Sequence, residues 1–461
     1  MTRPHARAAV AAGLAMASLA GAAAAQQTPQ PSTTTTTTTP TTTAPTAPAG
    51  PPRLTNLTVP ATVEARQGHA RFLVGVRTAT DAKLTLQLTS VKDNLLVKTV
   101  QSTRTEKAGR VYFLVEATNN SRFQLPAGKY RLRVQATDAQ NRVSPPLQKV
   151  VTLKLTTPRG RLDAYMLPMW GAIARSAGLP ARGGQFVAAV APRGDVAKAG
   201  IKRGDVITSI NEIPTLTPGG LATALRALPA DTAVPVELRR GTDQLTVQLK
   251  VPPDWNVAPD LSRSFTVIVK RNPKVLAYSI AQVRYLVEQG KTDDAQGLID
   301  AWTPAWKASA PGQAVQAQLF ERSGQAKKAL GFWNRALSKD PRMAAAAFGR
   351  AIALNGLGKD DQAAQAFADA RKLDPKDASA AAFEAFSLIR AEKVDQSREP
   401  ALAAETLDPG YADAKVAAGI ALIQTRNPAR GIVKLREGLI LTDDPTRAQS
   451  IIDQYLEPAD K

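Results

Sequence analysis

The sequence predicts a multidomain chain of three folded parts in order: an all-β sandwich, an α+β domain and an all-α helical solenoid. Three observations carry this. Between Arg53 and Leu155 apolar residues recur with a period of two. From Pro158 to about Val251 strand-like runs are punctuated by Gly-Asp and Asn-Glu turns and by helical stretches. Beyond Pro252-Pro253 the chain becomes Ala-rich and a 34-residue period appears in Asp340-Pro341, Asp374-Pro375 and Asp408-Pro409, with Asp444-Pro445 following after 36. A chain of 461 residues has room for this many domains at roughly 100 to 200 residues each. The boundaries read as 53–155, 156–253 and 276–461, with 254–275 as a linker.

Two segments precede the folded parts. Arg3 and Arg7 supply a positive start, Ala8 to Ala22 is a mildly apolar run, and Ala23-Ala24-Ala25 supplies small residues before Gln26. This pattern predicts a secretory signal over 1–25, cleaved after about Ala25. The alternative, a retained signal anchor, is disfavoured because the run is shorter and more Ala-rich than the ~20 apolar residues a membrane span needs. Residues 26–52 are almost entirely Thr, Pro, Ala and Gln, which bury nothing and stay extended, so they read as a disordered Thr/Pro-rich spacer.

In the first folded part, Tyr130 to Ala136 alternates apolar and polar residues, as a half-buried antiparallel strand does, and Lys83 to Leu88 repeats the pattern. Val111 to Val115 is a more buried run, and Val151, Leu153 and Leu155 close the segment. Turn residues fall at Gly68, Asp93-Asn94, Gly109, Pro126-Ala127-Gly128 and Asp138 to Asn141. About seven short strands in this length predict a sandwich. The stretch from Leu125-Pro126-Ala127-Gly128 through Asn141-Arg142-Val143-Ser144 resembles the last hairpin of immunoglobulin-like or fibronectin-type-III-like modules. This part also holds more than half of the chain's net charge of +20, with 17 basic and 6 acidic residues. Such a surface is expected to attract an anionic wall polymer or membrane surface. Nucleic acid is not an expected partner, because the basic strands lack a set of stacking aromatics.

In the second part, Gly184-Gln185-Phe186-Val187 begins a strand. Ala199-Gly200-Ile201-Lys202-Arg203-Gly204-Asp205-Val206-Ile207 then gives a short helical turn, a left-handed stop and a buried strand. Thr217 reads as the N-cap of a helix with Pro218 at its first position and an apolar stripe of Leu221, Ala224, Leu225 and Leu228. Val234 to Leu249 reads as a closing hairpin. The whole segment resembles a PDZ domain of the bacterial type found beside high-temperature-requirement and carboxyl-terminal-processing proteases. The resemblance implies an edge-strand groove for an extended peptide. Its residues would be Arg161, Leu162, Asp163, Ala164 and Tyr165 on the carboxylate loop and strand, with Leu221, Leu225 and Leu228 on the helix. Asp163 stands where that family has Gly, which puts a carboxylate beside an incoming carboxylate and favours internal, basic or apolar segments.

In the third part, Ala295, Ala329 and Ala363 share the 34-residue period, and Ile299, Trp333 and Phe367 follow each by four residues. Ala336, Ala370 and Ala404 sit five residues before each proline. Small residues that let two helices approach, bulky ones between repeats and a terminating proline resemble tetratricopeptide repeats. These are placed at 276–309, 310–343, 344–377, 378–411 and 412–445, with a capping helix at 446–457; Ser397, Gly431 and Pro400 weaken the later ones. The resemblance implies a concave peptide-binding face including Gln313, Gln316, Arg350, Glu384 and Lys415.

The composition narrows the function. The chain has no Cys and two His, of which His5 lies at the start and His69 stands alone, so thiol, zinc-thiolate and histidine-based chemistry have no residues to work with. G-x-S-x-G, S-x-x-K, H-E-x-x-H and phosphate-binding glycine motifs are absent. No catalytic residue, metal or cofactor and no small-molecule substrate is therefore predicted. The expected function is an exported, non-catalytic protein-interaction scaffold of the bacterial cell envelope that binds peptides or protein segments. A regulator or substrate adaptor of a separate envelope protease is the alternative, and a carboxylate-based carbohydrate-active or peptidase enzyme a lesser one.

Overall fold

The computed structural model describes residues 50–456, apart from 65–69, 103, 121–124, 155–161, 170–172, 175–182, 217, 229–231, 251–259, 426 and 443. The predicted signal, most of the Thr/Pro spacer, Gly68, His69, Arg161 and Thr217 lie outside the described residues.

The first part contains β1 (Leu54–Thr58), β2 (Thr62–Glu64), β3 (Arg71–Thr78), β4 (Lys83–Ser90), β5 (Leu96–Gln101), β6 (Gly109–Glu116), β7 (Gly128–Thr137) and β8 (Leu147–Lys154). They form a three-stranded sheet, β1-β3-β6, and a five-stranded sheet, β2-β8-β7-β4-β5. Pairing is antiparallel except between β2 and β8. Gly109, expected in a turn, instead opens β6 opposite Thr78. Alternation places Phe72, Val74, Val76, Val111, Phe113 and Val115 of the small sheet against Leu84, Leu86, Leu88, Leu132, Val134 and Val151 of the large one. Yet β3 is buried at nearly every position. Its outer face, with Leu73 and the β6 residues Tyr112 and Leu114, is covered as well.

The second part contains β9 (Ala164–Pro168), β10 (Gln185–Val190), α1 (Asp195–Lys198), β11 (Val206–Ile210), β12 (Ile213–Pro214), α2 (Pro218–Ala227), β13 (Ala233–Arg240) and β14 (Asp243–Lys250). The sheet runs β14-β13-β11-β10-β9, with β12 added to β11. Gly200 and Gly204 have φ of +84° and +93°, in the left-handed region that side chains disfavour. The buried Asp205 between them and β11 accepts hydrogen bonds from the Lys202 amide and from Arg240 Nε and Nη2, each at 2.8 Å. Arg240 also donates to the Gly200 carbonyl at 2.7 Å, so one guanidinium ties the glycine turn to the closing hairpin.

The third part is helical throughout its described length. The segment expected to be a linker at 254–275 holds a helix, α3 (Ser262–Arg271). The reason is its own pattern: Leu261, Phe265 and Ile268 fall on one stripe and are buried. Helical hairpins follow: α4 (Leu276–Glu288) with α5 (Thr292–Asp300), then a short α6 (Pro304–Ala308), α7 (Ala310–Arg322) with α8 (Ala326–Lys339), α9 (Ala344–Gly356) with α10 (Asp360–Leu373), α11 (Ala378–Arg390) with α12 (Val394–Leu407), and α13 (Ala412–Gln424) with α14 (Pro428–Leu441). The chain ends with α15 (Pro445–Ile451) and a π-helical turn at Ile452–Leu456. Ala295, Ala329 and Ala363 are fully buried, and so are Ile299, Trp333 and Phe367. The Trp333 ring lies so close to Gly349 that a Cβ there would come within 2.3 Å of it. Pro400, expected to weaken its repeat, lies inside α12. Gly431 is a contact point between helices: a Cβ there would meet the Ile423 amide at 2.6 Å and the Gly419 carbonyl at 2.7 Å.

The parts pack against one another at both ends of the array. At the start, Tyr165 and Leu167 of β9 and Phe186 of β10 join Phe265, Tyr278 and Tyr285 in one core. Tyr165 meets Phe265 and Tyr285 edge-on at 5.5 and 5.8 Å. At the end, the outer face of the small sheet packs on α14 and the last helical turns through Leu73, Tyr112, Leu435, Leu439 and Ile452. Arg436 Nη2 donates to the Tyr112 hydroxyl while its guanidinium lies 5.2 Å from the ring centre. Arg104 and Asp453 pair at 3.0 Å across the same junction.

Two expectations follow. Gly→Ala in a helix ordinarily raises stability by up to about 1 kcal/mol. That result is expected at Gly297 on α5, where nothing lies within 4 Å of the added carbon. At Gly431 the clash with backbone outweighs the propensity gain, so Gly431→Ala is expected to lower stability by about 1–3 kcal/mol in urea unfolding. The second concerns Glu321, whose Oε1 accepts from Trp333 Nε1 at 2.6 Å while Oε2 is shut off from solvent and unpaired. Burial pushes its carboxyl from 4.5 up to about 8. The folded chain therefore binds this proton more tightly than the unfolded chain, and stability falls as pH rises between those values. Glu321→Gln is expected to flatten that slope in unfolding curves collected across the same interval.

Candidate functional site

The end strand β9 is the structural centre of the predicted groove. It pairs with β10 on one side, from Gln185 opposite Pro168 to Val190 opposite Ala164. The Met169 amide donates to the Gly184 carbonyl and the Ala191 amide to the Asp163 carbonyl, each within hydrogen-bond range of β10. Main-chain groups alternate along a strand, so those of Ala164 and Met166 face away from β10. Among the described residues no strand pairs with that edge.

Each predicted residue has a definite place. Arg161 lies outside the described residues. Leu162 is buried in the core of this domain, and Ala164 and Met166 pack partly against the same core. Leu221 and Leu225 of α2 are half-buried beside it, whereas Leu228 is buried and belongs to the core, not to a groove wall. Tyr165 also fails to line a groove. Alternation turns its side chain to the opposite face, where it is buried against α3 and α4 and its hydroxyl donates to Glu288 Oε1 at 2.8 Å. Burial, then the nearby Glu288 charge, holds its phenol well above the usual range.

Asp163 is buried, at 4% exposure, and its carboxylate is engaged. Oδ1 accepts the Val196 amide at 2.9 Å, which caps the first turn of α1. The fit requires Gly194, where a Cβ would stand 1.4 Å from Oδ2. Burial raises the carboxyl's pKa, opposed by the amide hydrogen bonds of this turn. The Asp163 carboxylate is thus aimed into the protein's own loop.

In the array, several polar residues expected on an open face instead tie helices together. Gln313 is buried; its Nε2 donates to the Lys307 carbonyl and its Oε1 accepts from Arg335 at 2.7 Å. Gln316 donates to the same carbonyl at 3.1 Å. Glu384 is buried at 3.0 Å from Arg371 of α10, which also reaches Glu399 of α12 at 2.9 Å. Lys415 lies 2.6 Å from Glu437 of α14 and 3.5 Å from Glu405 of α12. The cause is common to all four: a charged or amide group half-enclosed between helices needs a partner from the neighbouring helix. Arg350 is half-buried on α9. A hollow of about 500 Å³ lies between α10 and α12, bordered by Ala368, Arg371, Pro375, Ala403 and Leu407. Among the described residues no group of His, Asp or Glu could hold a metal ion, and no helix is long and apolar enough to cross a membrane.

Sequence reasoning missed the junction between β9 and the array. Its signal was present in the i, i+4, i+7 spacing of Leu261, Phe265 and Ile268.

A family model described as a PDZ domain matches residues 172–251. The chain is 32% identical over 110 residues to the periplasmic serine endoprotease DegP of Salmonella typhimurium and to that of Escherichia coli K12, covering 24% of this chain and 23% of each relative. The chain thus spans about a quarter of the length of these curated relatives, and the similarity covers the PDZ part, not a protease domain. Among solved structures, YrrB, described as a TPR protein with an unusual peptide-binding site, aligns at a TM-score of 0.34 and 18% identity over 41% of this chain and 98% of its own. MamA MSR-1 aligns at 0.31 and 12% over 36% and 95%. Residues 172–251 of the chain match a PDZ domain, and helical hairpins follow it.

Proposed function

We propose that this protein is an exported, non-catalytic scaffold of a bacterial cell envelope that holds extended peptide or protein segments through its PDZ domain and its helical repeats. One observation carries the reading. The end strand β9 turns the main-chain groups of Ala164 and Met166 away from β10, and the half-buried Leu221 and Leu225 stand on the helix of the same core. An added strand finds backbone partners on such an edge and apolar contacts for alternate side chains. Asp163 directs the preference toward internal segments over chain ends, because its carboxylate occupies the turn that would otherwise receive a terminal carboxylate. The signal-like N-terminus supports export. The basic first domain, of immunoglobulin-like type in this reading, supplies attraction to an anionic wall polymer or membrane surface. The DegP similarity of the PDZ segment favours a second reading, a regulator or substrate adaptor of a separate envelope protease.

The test is peptide display against the intact protein, followed by fluorescence anisotropy on the enriched sequences. Ala164→Pro removes one outward amide at the first position of an edge strand, where proline is tolerated. It is expected to weaken binding roughly tenfold while leaving the unfolding transition in place. Amidation of the peptide's C-terminus is expected to change little. A folded Ala164→Pro variant that binds as well as the parent, or a screen that enriches no motif, contradicts the proposal.

A further inference from the structure

We propose that the tip of the β4–β5 hairpin in the first domain inserts into an anionic lipid bilayer. The inference deepens, and rests on, the reading of this basic domain as the part that faces an anionic surface; it names the lipid surface and the residues that enter it.

The tip is unusually apolar for a solvent-facing turn. Val91, Leu95 and Leu96 are 39%, 61% and 52% exposed. The turn is well formed, not frayed: the Ser90 amide donates to the Leu95 carbonyl at 2.8 Å, and Asn94 takes the left-handed conformation with φ of +56°. The strand register extends the patch across the outer face of the five-stranded sheet. Leu96 stands opposite Thr89, Thr89 opposite Arg131, and Arg131 opposite Val150, itself 51% exposed. Opposed residues in antiparallel strands share a face, so these four form one row.

Cations frame the patch. Arg131 Nη1 donates to Asn94 Oδ1 at 3.3 Å, which holds a guanidinium at the turn. Lys92 lies within the turn and is exposed. Lys129, whose carbonyl accepts the Val91 amide at 2.9 Å and which shares the outer face with Arg131 two residues on, is exposed as well. Asp93 is the acidic residue of the tip. Leucines at the extremity with lysine and arginine behind them match the depth profile of a bilayer interface, where acyl chains lie beneath anionic headgroups. A soluble polyanion would be bound by the cations alone and gives no use for the leucines. The geometry of the domain supports access: its other sheet is covered by the array, whereas among the described residues the apolar cluster of this sheet lies within the domain itself.

Co-sedimentation of the intact protein with vesicles tests this. Vesicles of phosphatidylglycerol and phosphatidylcholine are expected to carry the protein down at low salt, and phosphatidylcholine alone is not. The double variant Leu95→Ser/Leu96→Ser is expected to reduce partition about tenfold or more without shifting the unfolding transition. Because the chain has no cysteine, Leu95→Cys offers a single attachment point for an environment-sensitive dye, whose emission is expected to shift to the blue on anionic vesicles. The proposal is overturned if wild-type protein stays in the supernatant with anionic vesicles, or if the double variant sediments as the parent does. A double variant that sediments normally and is still released by salt leaves the charge attraction standing and removes only the insertion. Equal capture of both proteins by soluble polyglycerol phosphate, with neither on vesicles, assigns the surface to wall polymer.

Discussion

The end of a helical array is an apolar face without a partner, and here both ends are buried against β-structure. A solenoid stabilises each repeat through its neighbours, so its terminal repeats need a cover of a different kind. At the first helices that cover is the face of β9 and β10 carrying Tyr165, Leu167 and Phe186. At the last helices it is the outer face of the small sheet carrying Leu73 and Tyr112. The two β domains are adjacent in sequence, with only residues 155–161 between Lys154 and Leu162. Eight Cα steps reach at most roughly 28 Å, so Lys154 and Leu162 stay within that distance, and the array runs between two β domains tethered to each other at that point. The three parts therefore constrain one another mutually: the connection tethers the two β domains, and the array's ends fill the exposed faces of the sheets.

This constraint shapes the candidate site. Because one face of β9 is committed to α3 and α4, Tyr165 is a structural anchor, and what β9 still offers is its edge. The polar residues between helices are committed in the same way. Arg371 bridges Glu384 and Glu399, and Lys415 bridges Glu405 and Glu437, so charges that look free in the sequence fix the spacing of consecutive hairpins. The enclosed pairs, Arg371 with Glu384 and Lys415 with Glu405, add little stability on their own but are costly to break from one side because the remaining charge is left buried, whereas Glu399 and Glu437 are more exposed and contribute less. Consecutive hairpins are thus tied to one another, and β9 is packed against the first helices of the array.

Much of this was legible in the sequence where local chemistry decides it. The alanines and bulky residues on the 34-residue period are the ones buried between helices, because close helix packing leaves no room for anything larger than the first and no void beside the second. Gly200, Gly204 and Asp205 were readable as a turn because only glycine accepts the left-handed backbone there. What could not be read was the pairing of surfaces distant in sequence. The run Val111 to Val115 looks merely more buried than its neighbours; that Tyr112 faces Arg436 of α14 depends on where the array ends. Tyr165 had two faces to choose between, and the helix that claims it lay in a segment read as a linker. Asp163 was read as a carboxylate meeting an incoming ligand; its engagement with the Val196 amide needs the turn at Gly194, 31 residues on in the sequence, to be present.

Hydrogen–deuterium exchange followed by mass spectrometry on Tyr112→Ala and Tyr165→Ala, side by side with the parent protein, tests the mutual capping most directly. If the β domains cover the ends of the array, Tyr112→Ala speeds exchange in 428–456 and Tyr165→Ala speeds it in 262–300, while α9 and α10 keep their protection in both. Unchanged exchange at the array's ends in both variants would contradict it, and would mean that the helices stand without the sheets.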